Sequence, residues 1–476
     1  MELIGDFGDP DDLTLAEDHI ILKLETALPP EAKLPEGLAF GDVDGLLLIA
    51  NQRSLVSAMG SALLREARVS KALFCGCAPF DSCELFANVA SELLRDAQEV
   101  HIVHNRNMVY KLIRMFPSAK VIALPHDLSR HYPEFDEPRS DLTGPLVERS
   151  QLRQLVGSSG EQRTECLSLS HETTLELIRN CPYVCRINSR WVVSCFTKPH
   201  SLLTSADRCK AKNFTHVNLI DQDLVLTTRG LGMSAATADI AVAATTFPSV
   251  ETLEVCLGSQ EALGKISAFR NLRNLAVAFT AGFIVRDMST ELEQLLAKLP
   301  GLEALELENC GGIRLPAISR LCTRLKILRL VNCVGSLSDV PVDADAFADL
   351  ECLELDMQIL KAVFNSLLDA TKNKLRNAHF RDEALCLAFL QHCVESGRRL
   401  PFLNLERLTL NTKESLSALG LQPEDLHDVL HALPALRCVE TNSYDLRLFF
   451  ENSFPRGRVS LSWIGCVYCA VHRPAY

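Results

Sequence analysis

"LEALELENCGGIRLPAISRLCTRLKILRLVNCVG", from Leu302 to Gly335, carries nearly the same phrase twice. Leu302, Leu305, Leu307 and Cys310 recur as Leu325, Leu328, Leu330 and Cys333. The rule is L-x-x-L-x-L. Its last two leucines are two residues apart, so in a strand they point to one face. The first sits three residues earlier, where the chain turns into the strand. A loop and a helical stretch then return the chain. A unit this short cannot bury its own apolar face and must stack on a neighbour.

The phrase continues in both directions. Forward it falls on Leu350, Leu353, Leu355, then Leu375, Ala378, Phe380, then Leu405, Leu408, Leu410, then Leu436, Val439, Thr441. Backward it falls on Leu272, Leu275, Val277 and on Val250, Leu253, Val255. First positions are 22, 30, 23, 25, 25, 30 and 31 residues apart, the spacing of a repeat array in which some units carry a longer helix. Between them, "TELEQLLAKL" from Thr290, "LKAVFNSLLDA" from Leu360, "DEALCLAFLQHCV" from Asp382 and "EDLHDVLHAL" from Glu424 have helical periodicity. Prolines in "LPGL", "FPSV" and "LPAL" stop each helix before the next strand.

Toward the N-terminus the pattern loosens. It is legible at Ala97, Val100, Ile102, at Ala119, Ile122, Leu124, at Thr164, Leu167, Leu169 and at Phe214, Val217, Leu219. "SCELFANVASELLRDA" from Ser82 and "SLVSAMGSALLREA" from Ser54 read as helices, "HIILKLE" from His19 and "LLLIA" from Leu46 as strands. The polar, proline-bearing stretch 126–165, with its "GSSG", reads as a long excursion.

The chain resembles the leucine-rich repeat superfamily. More narrowly, it is similar to the cysteine-containing repeats of F-box/LRR proteins and ribonuclease-inhibitor-like proteins, on Leu302, Leu305, Leu307, Cys310 and Leu325, Leu328, Leu330, Cys333. The resemblance implies an α/β leucine-rich repeat solenoid, a horseshoe with a parallel sheet on the concave side and helices on the convex side. It also implies that the cysteine packs at the inner turn beside backbone groups. At that position the other units carry Gly258, Thr280, Gln358, Glu383, Lys413 and Tyr444. Four segments follow. Residues 1–68 form an acidic N-terminal cap or degenerate F-box-like segment; 69–245 hold irregular leucine-rich repeats with a long loop near 126–165. Residues 246–455 hold regular leucine-rich repeats, and 456–476, with "RVSLSWIGCVYCAVH", a C-terminal cap. "LPEGLAFGDVDGLLLIANQRSLVSAMGSALL" from Leu34 opens with the Leu-Pro of an F-box but then reads strand, turn, helix, and it lacks the tryptophan usual near an F-box end.

Composition narrows the function. Of 476 residues, 47% are apolar, enough for a large aliphatic core and too many for a disordered chain. The start, "MELIGDFGDPDDL", has neither the basic nor the apolar region of a signal peptide, and no apolar run is long enough to span a bilayer. A soluble protein of the cytoplasm or nucleus is expected, its eighteen cysteines reduced and mostly buried. "NFT" at Asn213 is then a glycosylation pattern without a glycan. The net charge of −12 is concentrated in residues 1–50, where twelve acids face only Lys23 and Lys33. No basic stripe suits nucleic acid.

Catalytic and metal patterns are weak. Cys75, Cys77 and Cys83, and Cys466, Cys469 and His472, offer three ligands each where a structural zinc needs four. "RGLGMS" at Arg229 lacks the Lys-Ser/Thr of a P-loop, and His101 and His104 have no partner by spacing. A non-enzyme with no cofactor and no metal is expected: a scaffold for protein–protein interaction, or, in the alternative, the substrate-recognition subunit of a cullin ubiquitin ligase. Residues flanking the last two leucines of each unit point away from the core, onto the concave face. They are Glu254, Glu306, Glu308, Arg329, Glu354, Asp356, His379 and Arg381. Glu306, Glu308, Glu354 and Asp356 form an acidic patch suited to a basic segment of a protein partner, with Arg329 placed to neutralise part of it.

Overall fold

The structure, a computed structural model, describes residues 2–4, 20–24, 46–50, 69–74, 96–102, 112–113, 116–125, 151–158, 167, 169–189, 191–197, 203–219, 237–336, 340–396, 402–412, 425–453 and 460–462. It divides into two compact units, Met1–Asn218 with Pro474–Tyr476, and Leu219–Arg473. The helices read at Ser54 and Ser82, both three-ligand cysteine clusters and the "RGLGMS" loop lie outside the described residues.

In the first unit, eight strands pair in parallel, each with the next in the chain. They are β1 (Glu2–Ile4), β2 (Ile20–Leu24), β3 (Leu46–Ala50), β4 (Val69–Phe74), β5 (Glu99–Ile102), β6 (Val121–Pro125), β7 (Gln154–Ser158) and β8 (Arg186–Ile187). One residue per strand stands in a single column: Leu3, Leu22, Leu48, Ala72, Val100, Ile122, Leu155 and Ile187. Val100 and Ile122 therefore align as the spacing predicts. Two expectations change. The stretch 126–165 contains β7, held between β6 and β8, where only a loop is expected. Leu167 and Leu169 lie outside any strand; Leu167 N–H donates to Asn188 O at 2.6 Å, and β8 takes the sheet position instead. The reason is local. The Ser170 hydroxyl accepts from Thr173 N–H at 3.0 Å and starts a helix, His171–Asn180, that buries Leu175, Leu177 and Ile178. The strand His216–Leu219, β9, reaches the unit boundary.

The second unit is more regular. Its strands from β10 are β10 (Thr252–Leu257), β11 (Asn274–Phe279), β12 (Ala304–Glu308), β13 (Gly311–Ile313), β14 (Ile327–Gly335), β15 (Cys352–Gln358), β16 (Asn377–Phe380), β17 (Arg407–Leu410), β18 (Cys438–Thr441) and β19 (Ser460–Ser462). The sheet runs β10, β11, β12, β14, β15, β16, β17, β18, β19, all parallel, with β13 set against β14. Leu253, Leu275, Leu305, Leu328, Leu353, Ala378, Leu408 and Val439 register one against the next. All three apolar positions of all eight units are buried. Helices return the chain where the periodicity places them, at Ser289–Leu296, Lys361–Thr371, Glu383–Ser396 and Asp425–Ala432. This alternation of parallel strand and helix is the α/β repeat architecture that the resemblance implies.

Ala378 stands in the leucine column of β16. Phe380, two residues on, lies 5.5 Å from Phe364 and 4.9 Å from Phe389, which packs on Phe402 at 5.5 Å. Around this unit the aromatic chain supplies a large share of the packed volume.

The cysteine of the quoted phrase follows an asparagine in left-handed conformation, Asn309 (φ 57°) and Asn332 (φ 49°). Asn tolerates that backbone better than most residues. The Asn309 amide donates to Phe279 O at 3.1 Å, and the Asn332 amide to Asn309 Oδ1 at 2.5 Å, so each bend is tied to the preceding unit. Cys310 and Cys333 are buried behind these bends, the Cys333 thiol toward Leu307 O and Val331 O, both at 3.4 Å. Burial raises the Cys310 thiol far above its ordinary value, so it is held as a neutral thiol. Gly311 completes the turn: a Cβ there would lie 2.4 Å from the carbonyl oxygens of Ile284 and Arg286.

Leu305 and Leu328 are 1% and 0% exposed in adjacent strands. Truncating either to alanine is expected to cost about 2–5 kcal/mol in chemical denaturation, with hydrogen exchange rising first in the neighbouring units. A second expectation concerns acid. His392 is buried against Phe402, its Nε2 3.5 Å from Asp369 Oδ1. Burial lowers its pKa, reinforced by Lys372 and opposed by Asp369 and Glu395. The unfolded chain then binds the extra proton more readily than the folded one, so stability is lost as pH falls below about 6.5. His392→Phe should flatten that part of the stability–pH curve, measured by urea denaturation between pH 7 and 5.

Candidate functional site

On the second sheet, the residues between the leucine columns form two rows on the face turned from the core. The first row is Glu254, Ala276, Glu306, Arg329, Glu354, His379, Thr409 and Glu440, each in register with the next. The second includes Glu308, Val331 and Asp356 in register, with Arg381 following the last paired residue of β16. Five of the eight sequence-named residues meet in one network. Arg329 Nη1 lies 3.6 Å from Glu306 Oε2, and its Nε lies 3.4 Å from Glu354 Oε2. Arg381 Nη2 approaches Glu354 Oε1 at 2.5 Å, and His379 Nδ1 reaches the same oxygen at 3.6 Å. Of the remaining three, Glu254 is buried and separated from Glu306 by Ala276, and Glu308 and Asp356 flank Val331.

Exposure separates the roles. The Glu354 side chain is 8% exposed, Arg381 13% and Arg329 31%. Burying a charge is costly unless it is paired, and Glu354 has Arg329, Arg381 and His379 around it. It is the structural anchor of the network. The Arg329 guanidinium is held above its ordinary pKa: burial opposes its charge, but the Cys352 side chain and the Glu354 and Glu306 carboxylates outweigh burial. Across the two rows the four carboxylates Glu306, Glu308, Glu354 and Asp356 outnumber the guanidinium groups of Arg329 and Arg381.

Thr409 and Glu440 extend the first row, with Thr409 Oγ1 3.5 Å from Glu440 Oε2. The sequence reading stops at Arg381, although both hold the equivalent position in the units beginning at Leu405 and Leu436. Among the described residues, no group of three or more His, Cys, Asp and Glu side chains is arranged to hold a metal ion, and no helix is long and apolar enough to cross a membrane.

No protein-family model matches the sequence, and no curated protein matches it. Solved structures do. The chain is similar to one in the crystal structure of the Rad7 and Elc1 complex of yeast, with 13% identity over 80% of this chain and 84% of that one and a TM-score of 0.40. It is similar to an LRR protein of Leptospira interrogans, with 13% identity over 86% and 91% and a TM-score of 0.28. It is also similar to the internalin InlF of Listeria monocytogenes, with 11% identity over 87% and 86% and a TM-score of 0.26. At these values the likenesses carry no functional argument. The leucine-rich repeat reading stands on the registered columns themselves.

The network predicts unequal costs. Arg381→Gln removes the nearer and more shielded partner of Glu354 and is expected to destabilise the second unit by about 1–3 kcal/mol. Arg329→Gln, with the more exposed side chain, should cost less. Urea denaturation of both variants and of the double variant measures the difference, and the double variant should cost more than the sum of the two because it leaves the shielded Glu354 with neither arginine.

Proposed function

We propose that this protein is a non-enzymatic scaffold that binds a protein partner on the charged sheet face of its second unit. The binding face comprises Glu254, Glu306, Glu308, Arg329, Glu354, Asp356, His379 and Arg381, and the partner presents a basic segment. One observation carries the reading: the rows facing away from the leucine core concentrate carboxylates in excess of the guanidinium groups beside them. That surplus favours and steers an approaching cation. Within the face, Arg329, Arg381 and His379 hold Glu354 in place, while Glu308 and Asp356, on either side of Val331, add acidic charge in the second row. The reading calls for no cofactor, nucleic acid or membrane.

A substrate-recognition role in a cullin ubiquitin ligase is a special case that needs an adaptor-binding N-terminus. Within 1–68 the described residues are the strands β1–β3, and β3, inside the segment compared with an F-box, pairs on both sides. The plain scaffold is therefore the preferred form. Affinity purification of the full chain from cells separates the two, since co-purification of the cullin adaptor belongs only to the special case.

The face itself is tested with variants that spare the Glu354 network. Glu308→Lys with Asp356→Lys should weaken binding of a fluorescent lysine- and arginine-rich peptide at least about tenfold at low salt, with the melting temperature nearly unchanged. The parent's affinity should fall as salt rises. Equal binding by parent and double variant at low salt would show the carboxylates to be only a solvated face.

A further inference from the structure

The residue just after the first apolar position of each unit has a pattern of its own. In chain order these residues are Glu251, Arg273, Glu303, Lys326, Glu351, Arg376, Glu406 and Arg437. Acid and base alternate without a break through eight units. Only 23% of the chain is charged, so composition does not account for eight charged residues in one repeat position.

The backbone sets these residues side by side. From Arg273 onward, the N–H of each donates to the carbonyl of the one before it, at 2.7–2.9 Å in all seven steps. Neighbouring strands lie about 4.8 Å apart, so each of the six inner residues has an opposite charge in both adjacent strands, and Glu251 and Arg437 have one in a single adjacent strand. Among the described residues, close ion pairs along this row are made at Glu303, and there from both sides: Lys326 Nζ lies 3.2 Å from its Oε2, and Arg273 Nη1 3.5 Å from its Oε1, where Arg324 Nη2 also reaches at 3.3 Å. The four bases are exposed, and Glu303, Glu351 and Glu406 are half-buried beneath them.

We infer that this row is an electrostatic clasp that holds the repeats of the second unit in their stack, and that the order of signs carries the effect rather than the residues themselves. A single exposed pair contributes little. A continuous row works differently, because each inner charge is attracted from both sides and opening one step weakens two contacts. Exposed charges are screened within about 10 Å at 0.1 M salt, so the clasp loosens with ionic strength. The row lies at the entry to the strands, apart from the proposed partner face, and does not depend on that proposal.

Reversal tests it on the full-length chain. Glu303→Lys places a cation between Arg273 and Lys326. It should speed amide exchange about fivefold in peptides covering β11, β12 and β14 at low salt, and added salt should stabilise this variant where it loosens the parent. A second variant inverts the whole row: Glu251→Lys, Arg273→Glu, Glu303→Lys, Lys326→Glu, Glu351→Lys, Arg376→Glu, Glu406→Lys and Arg437→Glu, with Arg324→Glu to preserve its contact. Alternation is kept, so exchange and salt response should return to those of the parent. Parent-like behaviour of Glu303→Lys at low salt would overturn the inference. So would an inverted row that exchanges as fast as the single reversal.

Discussion

The leucine column is the constraint on which the second unit depends. Leu253, Leu275, Leu305, Leu328 and Leu353 each lie against the same residue type at the same place in the adjacent strand. No single repeat could bury these side chains alone, so every unit is stable only through its neighbours. The parallel backbone ladder enforces this registry, because a shift of one residue would turn the whole apolar set to the opposite face. It also explains how Ala378 is tolerated. Its neighbours in the column, Leu353 and Leu408, remain, and Phe364 and Phe389 pack on Phe380 of the same strand.

Committing one side of each strand to leucine leaves the other side free for charge. Parallel register then stacks like positions on like positions, a difficulty that a charged row must solve by varying its residues. The face row does so with Glu306, Arg329, Glu354 and His379, placing a carboxylate beside a cation or an ionisable ring at every step. At Glu354 the solution is structural, since Arg329 and Arg381 both close on this shielded carboxylate. At Glu308 and Asp356 the neighbour between them is Val331, so an apolar side chain rather than a cation separates the two carboxylates in the row.

Much of this is legible in the sequence because leucine spacing is a strong signal: a period of two within the strand and a step of 22 to 31 residues between units leave few other folds open. Where apolar spacing is weak, other chemistry decides. Leu167 and Leu169 look like a strand, but Ser170 caps a helix directly behind them. Gln154–Ser158 looks like a loop because of its Gly and Ser, yet two neighbouring strands hold it in the sheet. In "LENC" and "LVNC" the cysteine draws attention, although Asn309 and Asn332 bend the chain and tie one unit to the next. Face residues could be named from alternation alone. Which cation meets which oxygen could not, because long arginine side chains choose among several carboxylates within reach.

The alternating row from Glu251 to Arg437 is the opposite case, fully present in the sequence and invisible to a search for apolar period. A related alternation runs through the first six units of the face row. Units that open with an acid at the rim, those of Glu251, Glu303 and Glu351, carry Glu254, Glu306 and Glu354 on the face. Units that open with a base, those of Arg273, Lys326 and Arg376, carry Ala276, Arg329 and His379. The rim charges therefore have a period of two units and the leucines of one, while on the face the rule ends at the last two units, where Thr409 follows Glu406 and Glu440 follows Arg437. Hydrophobic burial is non-directional and would be satisfied by any order of similar units. Charge is not, because two acidic units set side by side would repel at the rim and on the face together. Leucine makes the units stack, and the alternation of sign makes each unit fit only between neighbours of the other kind.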